Sequence, residues 1–255
     1  MIRVYRPNEP PGFRQQRTRW EKELQEAIYD PHPMSMTQLW RKIRQRKAMQ
    51  VFAEVLFTVF HHKCAFCESK TEHVSPLHIE HYRPKNTSAF LVYMFDWHNW
   101  LVACMACNSN KGERFDICDD RPCLLDPTTE DPSEHIDFLA AQIIPKTHRG
   151  KKTIEQIRLH RIDLTKARAL WLLDIDKLLL LAIHVPAARA TARELLIWAM
   201  QDDAPYAAMA RSYLRQRAPK LADPAIPHPV VQLDEPARKL NEILNRYQTE
   251  LQEFE

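Results

Sequence analysis

The fold of this chain depends on three short runs of sequence, Cys64-Ala65-Phe66-Cys67, His78-Ile79-Glu80-His81 and Cys104-Met105-Ala106-Cys107-Asn108. The first and third runs each contain a Cys-x-x-Cys pair. Four thiolates supplied as two short-range pairs are a common ligand set for a structural zinc ion with tetrahedral geometry. We therefore predict that zinc is bound by Cys64, Cys67, Cys104 and Cys107.

The middle run places an acid and a histidine in the segment that the two cysteine pairs enclose. A carboxylate oxygen of Glu80 suits a hard cation such as Mg²⁺ or Mn²⁺, and the amide oxygen of Asn108 can be a second ligand. The imidazole of His81 can take a proton from water near neutral pH. His78 shares a strand face with Glu80, where it either has a structural role or reaches substrate or metal. The pattern predicts a catalytic metal site beside the zinc site.

The composition is that of an ordinary folded protein. Of 255 residues, 45% are hydrophobic and 27% are charged. No apolar run reaches the ~18 residues of a membrane span, and the N-terminus lacks the apolar stretch of a signal peptide. We therefore expect a cytoplasmic protein, in which Cys118 and Cys123 are ordinary thiols.

Glycine content excludes one class of function. The chain has only three glycines, whereas phosphate-cradling nucleotide loops need several glycines close together. The chain is therefore not expected to bind and hydrolyse a nucleotide by itself.

The net charge of +3 says little about partners, but the cations are unevenly distributed. A short run of them can follow nucleic-acid phosphates, or it can form a solvated helix face. Both interpretations remain open for the run Arg41, Lys42, Arg44, Arg46 and Lys47.

These residues resemble an HNH endonuclease of the zinc-stabilised ββα-metal type. More narrowly, the Septu/retron-associated HNH proteins of the PtuB type are similar in residues 63–68, 79–85 and 104–111. Leu124-Leu125-Asp126-Pro127 and a later helix, residues 153–164, are similar as well. The resemblance covers residues 50–165 well and the rest of the chain loosely.

The resemblance implies roles for individual residues. His81 is the general base, and Glu80 and Asn108 hold Mg²⁺ or Mn²⁺. Glu80 stands where the family more often has aspartate, and Asn108 where it more often has a terminal histidine. Asn99 ties the two strands together and orients the base histidine. Three further residues are candidates for binding phosphate oxygens: Arg83, Lys85 and Lys111.

The resemblance also implies a setting, which is bacterial anti-phage defence with a separate PtuA-like ATPase as partner. The expected activity is hydrolysis of nucleic-acid phosphodiesters, with DNA as the favoured substrate. One alternative is an effector that cleaves tRNA or other RNA. The other is a zinc-clamped adaptor that binds nucleic acid or the ATPase without cutting.

The predicted fold is mainly α, with an embedded small ββα-metal (HNH) module stabilised by zinc, an α+β arrangement. The predicted parts are an N-terminal extended segment with helices (1–60), the nuclease module (61–125), a helical region (126–218), and a linker with a C-terminal helix (219–255). Strands are predicted at 76–83 and 99–104, followed by a helix near Cys107 and an irregular stretch over 112–145. Apolar spacing predicts helices at 13–29, 37–60, 151–160, 164–184, 187–201, 205–217 and 235–255.

Overall fold

The computed structural model describes residues 1–32 and 34–218. The strands pair in sequence order into separate antiparallel two-stranded sheets, and helices make up most of the remainder. The helices are α1 Phe13–Tyr29, α2 Met36–Arg44, α3 Lys47–Val59, α4 Met105–Lys111, α5 His148–Ile157, α6 Ile162–His184, α7 Arg189–Ala199 and α8 Ala207–Arg217. The strands are β1 His78–His81, β2 Trp100–Ala103, β3 Ile117–Cys118, β4 Arg121–Pro122, β5 Ile136–Leu139 and β6 Gln142–Pro145.

The single helix predicted over residues 37–60 is wrong, because the chain breaks between α2 and α3. A capping box at Ser35 and Gln38 starts α2. At the break, Arg46 has extended backbone (φ −74°, ψ 143°). Its guanidinium holds both carboxylate oxygens of Glu23 on α1, at 2.5 and 2.7 Å. The continuous apolar stripe in the sequence is therefore shared between two helices that pack on each other.

The irregular stretch predicted over residues 112–145 in fact contains two β-hairpins. In the first, Asp119 and Asp120 connect β3 to β4 and both have positive φ, 49° and 62°. Such a two-residue turn matches the twist of paired strands. It brings the Cα atoms of Cys118 and Cys123 to 4.9 Å, and the two residues form a disulfide. Their interpretation as ordinary thiols is therefore corrected.

The second hairpin, β5–β6, contributes to the hydrophobic core. Ile136 and Phe138 alternate inward on β5, and Ile143 on β6 joins them. On the other face of β5, Asp137 accepts a hydrogen bond from Ser212 of α8 at 2.7 Å. The prolines and aspartates around it concealed this alternation in the sequence.

An aromatic core joins the N-terminal helices to the first sheet. Phe13 of α1 packs edge-on against Phe52 of α3 and against Trp97 and Trp100, with ring centroids 5.0–5.4 Å apart. The guanidinium of Arg6 also donates to the backbone carbonyls of Trp97 and Trp100. All four residues of β2 are buried as a result, so the sheet that carries the candidate site rests on residues outside the predicted 61–125 module.

Within the described part of the chain, no helix combines the length and apolar character that crossing a bilayer requires. The predicted linker at 219–229 and the predicted helix at 235–255 lie outside the described residues.

Candidate metal centre and catalytic site

The four predicted zinc ligands form one buried cluster. Cys64 and Cys67 lie in a tight turn after α3, and the amide of Ala65 in that turn donates to Val102 of β2 at 2.7 Å. Cys104 is the N-cap residue of α4, and Cys107 is in its first turn. The four Sγ atoms all lie within 4.8 Å of one another.

The donor set fits a tetrahedral ion. Zn–S bonds of about 2.3 Å place neighbouring sulfurs about 3.8 Å apart in a tetrahedron, and the Sγ atoms of Cys67 and Cys104 are 3.8 Å apart. A guanidinium nitrogen of Arg161 lies 3.7 Å from Cys107 Sγ, and its positive charge would offset part of the charge of the thiolates. The cluster could therefore bind zinc.

Strand β1 carries the acid and the histidine, and β2 and α4 complete a strand–strand–helix unit around them. In the sheet, Glu80 lies opposite Leu101 and His81 opposite Trp100. The helix α4 turns back over β1, so that its last residue, Lys111, reaches Glu80. The expected order of strand, strand and helix is present.

Lys111 and Glu80 form a buried ion pair. Lys111 Nζ lies 2.7 Å from Glu80 Oε1, with the lysine side chain fully buried and that of Glu80 10% exposed. Burial raises the pKa of the Glu80 carboxyl, while the charge of Lys111 acts in the opposite direction. A carboxylate here therefore needs a cation beside it, and in the metal-free chain Lys111 supplies one.

His81 is held by a single backbone acceptor. Its Nε2 lies 2.9 Å from the carbonyl oxygen of Met94, which also accepts from the indole N–H of Trp100 at 2.9 Å. A carbonyl can only accept, so Nε2 carries the hydrogen and the lone pair of the neutral ring is on Nδ1. Burial, together with the charge of Lys85, lowers the pKa of His81 to about 3, so the ring is neutral at pH 7.

Asn99 is fully buried between the two strands and bonds to the backbone on both sides. Its Oδ1 accepts from the amide of Arg83 at 2.8 Å, and its Nδ2 donates to the carbonyls of Arg83 and Tyr93 at 3.0 and 2.9 Å. These bonds fix the start of the loop that follows His81, and this loop also supplies the Met94 carbonyl.

The remaining predicted residues lie on α4 and on the loop that follows β1. Asn108 is half-buried on α4, three residues before Lys111 and therefore on the same helix face. Lys85 is half-buried, and burial lowers its pKa while Glu80 raises it. Arg83 stacks over the ring of Tyr93, 4.6 Å from the centroid. Among the described residues, Lys111 is the one of the three phosphate candidates that forms an ion pair with a carboxylate.

Sequence reasoning missed the contribution of α2 to this site. The indole of Trp40 packs edge-on against the ring of His81, with centroids 4.5 Å apart. The hydroxyl of Thr37 bonds to Asn86 at 3.3 Å, just beyond Lys85. No motif marks these contacts, and the only signal in the sequence is the apolar stripe that includes Trp40.

Comparison with known proteins supports the motif-based resemblance. The chain is 31% identical over 150 residues to the Septu protein PtuB of Bacillus mycoides (strain KBAB4), covering 48% of this chain and 51% of that protein. It is 30% identical over 109 residues to the Septu protein PtuB of Bacillus thuringiensis, covering 42% and 40% respectively. No protein-family model matches the chain.

The chain thus spans about half, or less, of the length of the curated relatives that it matches. Over that matched part it is related to the Septu PtuB proteins, and the narrower resemblance, to the PtuB-type proteins, is confirmed.

Proposed function

We propose that this chain is a metal-dependent endonuclease of the HNH (ββα-metal) type that hydrolyses nucleic-acid phosphodiesters, with DNA as substrate. The observation that carries the proposal is the arrangement at the end of β1. There, a neutral histidine held through Nε2 lies next to a buried carboxylate that requires a cation.

His81 is the general base in this proposal. The Met94 carbonyl fixes its tautomer, so Nδ1 is the atom that accepts a proton from the attacking water. Among the described residues, no protein group is hydrogen-bonded to Nδ1. Its lowered pKa keeps the ring in the base form, and a phosphate placed nearby would raise the proton affinity of the ring.

Glu80 and Asn108 are the proposed ligands of Mg²⁺ or Mn²⁺. Their oxygen donors suit a hard cation, and the ammonium of Lys111 at 2.7 Å from Glu80 shows that the carboxylate accommodates a positive charge. When bound, the ion would stabilise charge on the phosphate and on the leaving oxygen. Few protein ligands leave room for water and substrate.

The surrounding cations have separate parts in the proposal. Lys85, half-buried next to Glu80, would bind a phosphate oxygen. Arg83, fixed by stacking on Tyr93, would present the edge of its guanidinium to the backbone of the substrate. Lys111 would neutralise Glu80 before the metal binds, and could turn towards phosphate afterwards.

The cysteine cluster is the proposed structural zinc site. Four buried thiolates fill a tetrahedral shell, so no open position is left for substrate. The ion would fix the turn after α3 to the start of α4, and thereby set the position of Asn108 and Lys111 relative to β1.

The similarity to proteins named Septu PtuB supports a role in bacterial anti-phage defence. We infer that a separate PtuA-like ATPase is the partner, since this chain has only three glycines and lacks a phosphate-cradling nucleotide loop.

A cleavage assay tests the proposal. Plasmid DNA and total tRNA are incubated with the wild type and with His81→Ala, with and without Mn²⁺, and with and without the ATPase partner and ATP. The exposed His73→Ala is the matched control, and circular dichroism with zinc analysis checks folding. Metal-dependent cutting of DNA that only His81→Ala abolishes is the expected result.

Other outcomes change the proposal in defined ways. Cutting of tRNA but not of DNA would replace the substrate and keep the mechanism. Cutting by His81→Ala at the wild-type rate would refute the role of the base. Cutting of neither substrate with partner and nucleotide present would favour the zinc-clamped adaptor.

A further inference from the structure

Helix α2 lies outside the metal-binding motifs, yet it forms one wall of the candidate site. Trp40 packs on His81, and Thr37 bonds to Asn86. At 100° per residue, Arg44 lies within ~20° of Thr37 around the helix, two turns further along. Arg44 therefore projects from the flank of α2 that faces the site, and the neighbouring Arg41 lies between that flank and solvent.

The structure divides four cations of this run into two groups. On the side of α2 opposite to the site, Lys42 lies 3.8 Å from the carboxylate of Glu23, and Arg46, at the start of α3, binds both oxygens of the same carboxylate. On the flank beside the site, Arg41 and Arg44 are exposed and have no hydrogen-bond or ion-pair partner among the described residues.

The helix dipole does not explain this division. Cations in the last turn of a helix interact favourably with its carboxyl end whichever flank they occupy. Of the three cations in the last turn of α2, Lys42 is also near a carboxylate, whereas Arg41 and Arg44 have no such partner among the described residues.

The flank of α2 that carries Arg44 lies beside the loop that carries Lys85. Thr37 on this flank bonds to Asn86, the residue directly after Lys85, so Arg44 adds to the positive potential at Lys85. Of the two carboxylates near Lys85, Glu80 pairs with Lys111, whereas Glu113 accepts a hydrogen bond from the uncharged amide of Asn86 and keeps its negative charge. Arg41 and Arg44 are exposed beside the site and have no ion-pair partner among the described residues, so they suit an anionic ligand.

We propose that Arg41 and Arg44 form a phosphate-binding arm of the nuclease, which holds the nucleic-acid backbone next to the phosphate that is cut. The proposal rests on the proposed function, since the arm is placed relative to His81 and Glu80. Arg44 binds the phosphate nearer to the site, and Arg41 the one further from it. The arm belongs to α2, so substrate binding extends beyond the 61–125 segment.

Binding without cleavage tests the arm. Fluorescence anisotropy with a labelled 20-base-pair duplex is measured without added Mg²⁺ or Mn²⁺, and with zinc retained, across a range of salt concentrations. The variants are Arg41→Gln, Arg44→Gln and the double variant, and the matched control is Lys42→Gln, which removes the same charge from the opposite flank of the same helix. All these side chains are exposed, so melting temperatures should stay close to that of the wild type.

Each phosphate contact contributes a slope of about −0.9 to the dependence of log K on log salt. We expect Arg41→Gln and Arg44→Gln each to make the slope shallower by about one, and the double variant by about two. Affinity at 0.1 M salt should fall roughly tenfold for each arginine. Lys42→Gln should change the affinity by less than about twofold, because its charge is already partly offset by Glu23.

The arm and the proposed function can fail independently. An unchanged slope in the double variant, equal losses in Lys42→Gln, or no duplex binding by the wild type at low salt would overturn the arm. Arginine-dependent binding without cleavage under any condition would retain the arm and reject the nuclease. Cleavage that depends on His81 but not on either arginine would retain the nuclease and reject the arm.

Discussion

Replacing Lys111 by Met should destabilise the protein strongly in the absence of Mg²⁺ or Mn²⁺, and more so at high pH than at low pH. Methionine keeps most of the volume of the lysine side chain but removes its charge. The Glu80 carboxylate, with a side chain only 10% exposed, then loses the cation that lies 2.7 Å from it.

The size of the effect follows from the geometry. At 2.7 Å and an effective dielectric constant of about 20, the attraction between unit charges is about 6 kcal/mol. Part of it is recovered as Glu80 relaxes towards water or takes up a proton. Breaking a buried pair by removing one partner typically costs about 3–5 kcal/mol, and we expect a loss in that range at pH 8.

The pH dependence has a definite sign. Burial raises the pKa of Glu80 in the folded protein, and Lys111 opposes that effect. The folded state of the variant therefore holds the Glu80 proton more tightly than the unfolded chain does, so its stability falls as pH rises above the ordinary glutamate pKa of about 4.3. Below about pH 4 the carboxyl is neutral in both states, and the cost should be small.

The assay is urea unfolding of the zinc-loaded protein without added Mg²⁺ or Mn²⁺ at several pH values, for Lys111→Met, Glu80→Gln and the double variant. Both partners are neutral in the double variant, which should recover most of the stability lost by Lys111→Met. Lys151→Met is the control, because its partner Glu155 is 3.9 Å away on an exposed helix face and the pair is worth at most about 0.5 kcal/mol. A loss below about 1 kcal/mol at pH 8, or one that does not depend on pH, would refute the reasoning.

Three shorter predictions concern the supports of the site. The disulfide Cys118–Cys123 closes a short loop. Replacing both cysteines by Ser should therefore lower the free energy of unfolding by about 2 kcal/mol under oxidising conditions. An unchanged free energy of unfolding would indicate that the two thiols are unpaired. Cys67→Ser should abolish binding of one equivalent of zinc, measured by metal analysis, and lower the melting temperature; full zinc retention would contradict the ligand set. Asn99→Leu leaves buried backbone groups of Arg83 and Tyr93 without their hydrogen-bond partner. The free energy of unfolding in urea should therefore fall by about 2–4 kcal/mol, and a loss below about 1 kcal/mol would contradict the structural role of Asn99.

The sequence predicted the cluster of four cysteines because their spacing constrains it. Two Cys-x-x-Cys pairs that share one ion must bring their flanking segments together, which determines the order of strand, strand and helix. The break between α2 and α3 could not be read in this way, because the apolar stripe continues through it. It depends on a long-range pair, Arg46 with Glu23.

The same limit explains why the burial of Lys111 and the pairing of Cys118 with Cys123 were not predicted. Lys111 has the sequence context of an exposed cation, and only the return of α4 over β1 buries it against Glu80. Cys118 and Cys123 meet because two aspartates adopt positive φ in a tight turn, a conformation that aspartate tolerates more readily than most residues. In each case the deciding contact is tertiary, so local patterns do not contain it.

The environment of His81 shows how far the site extends beyond its motifs. Its tautomer depends on the carbonyl of Met94, and its burial depends on Trp40 of α2 and on the aromatic core below Trp100. The hydrophobic core runs across the predicted boundary between residues 60 and 61. A fragment that began at residue 61 would expose His81 and Trp100 to water. The pKa of His81 would then move back towards the ordinary value of about 6.5, and the ring would be partly protonated near neutral pH. Residues before the cysteine motifs are therefore needed to keep the proposed base in its neutral form.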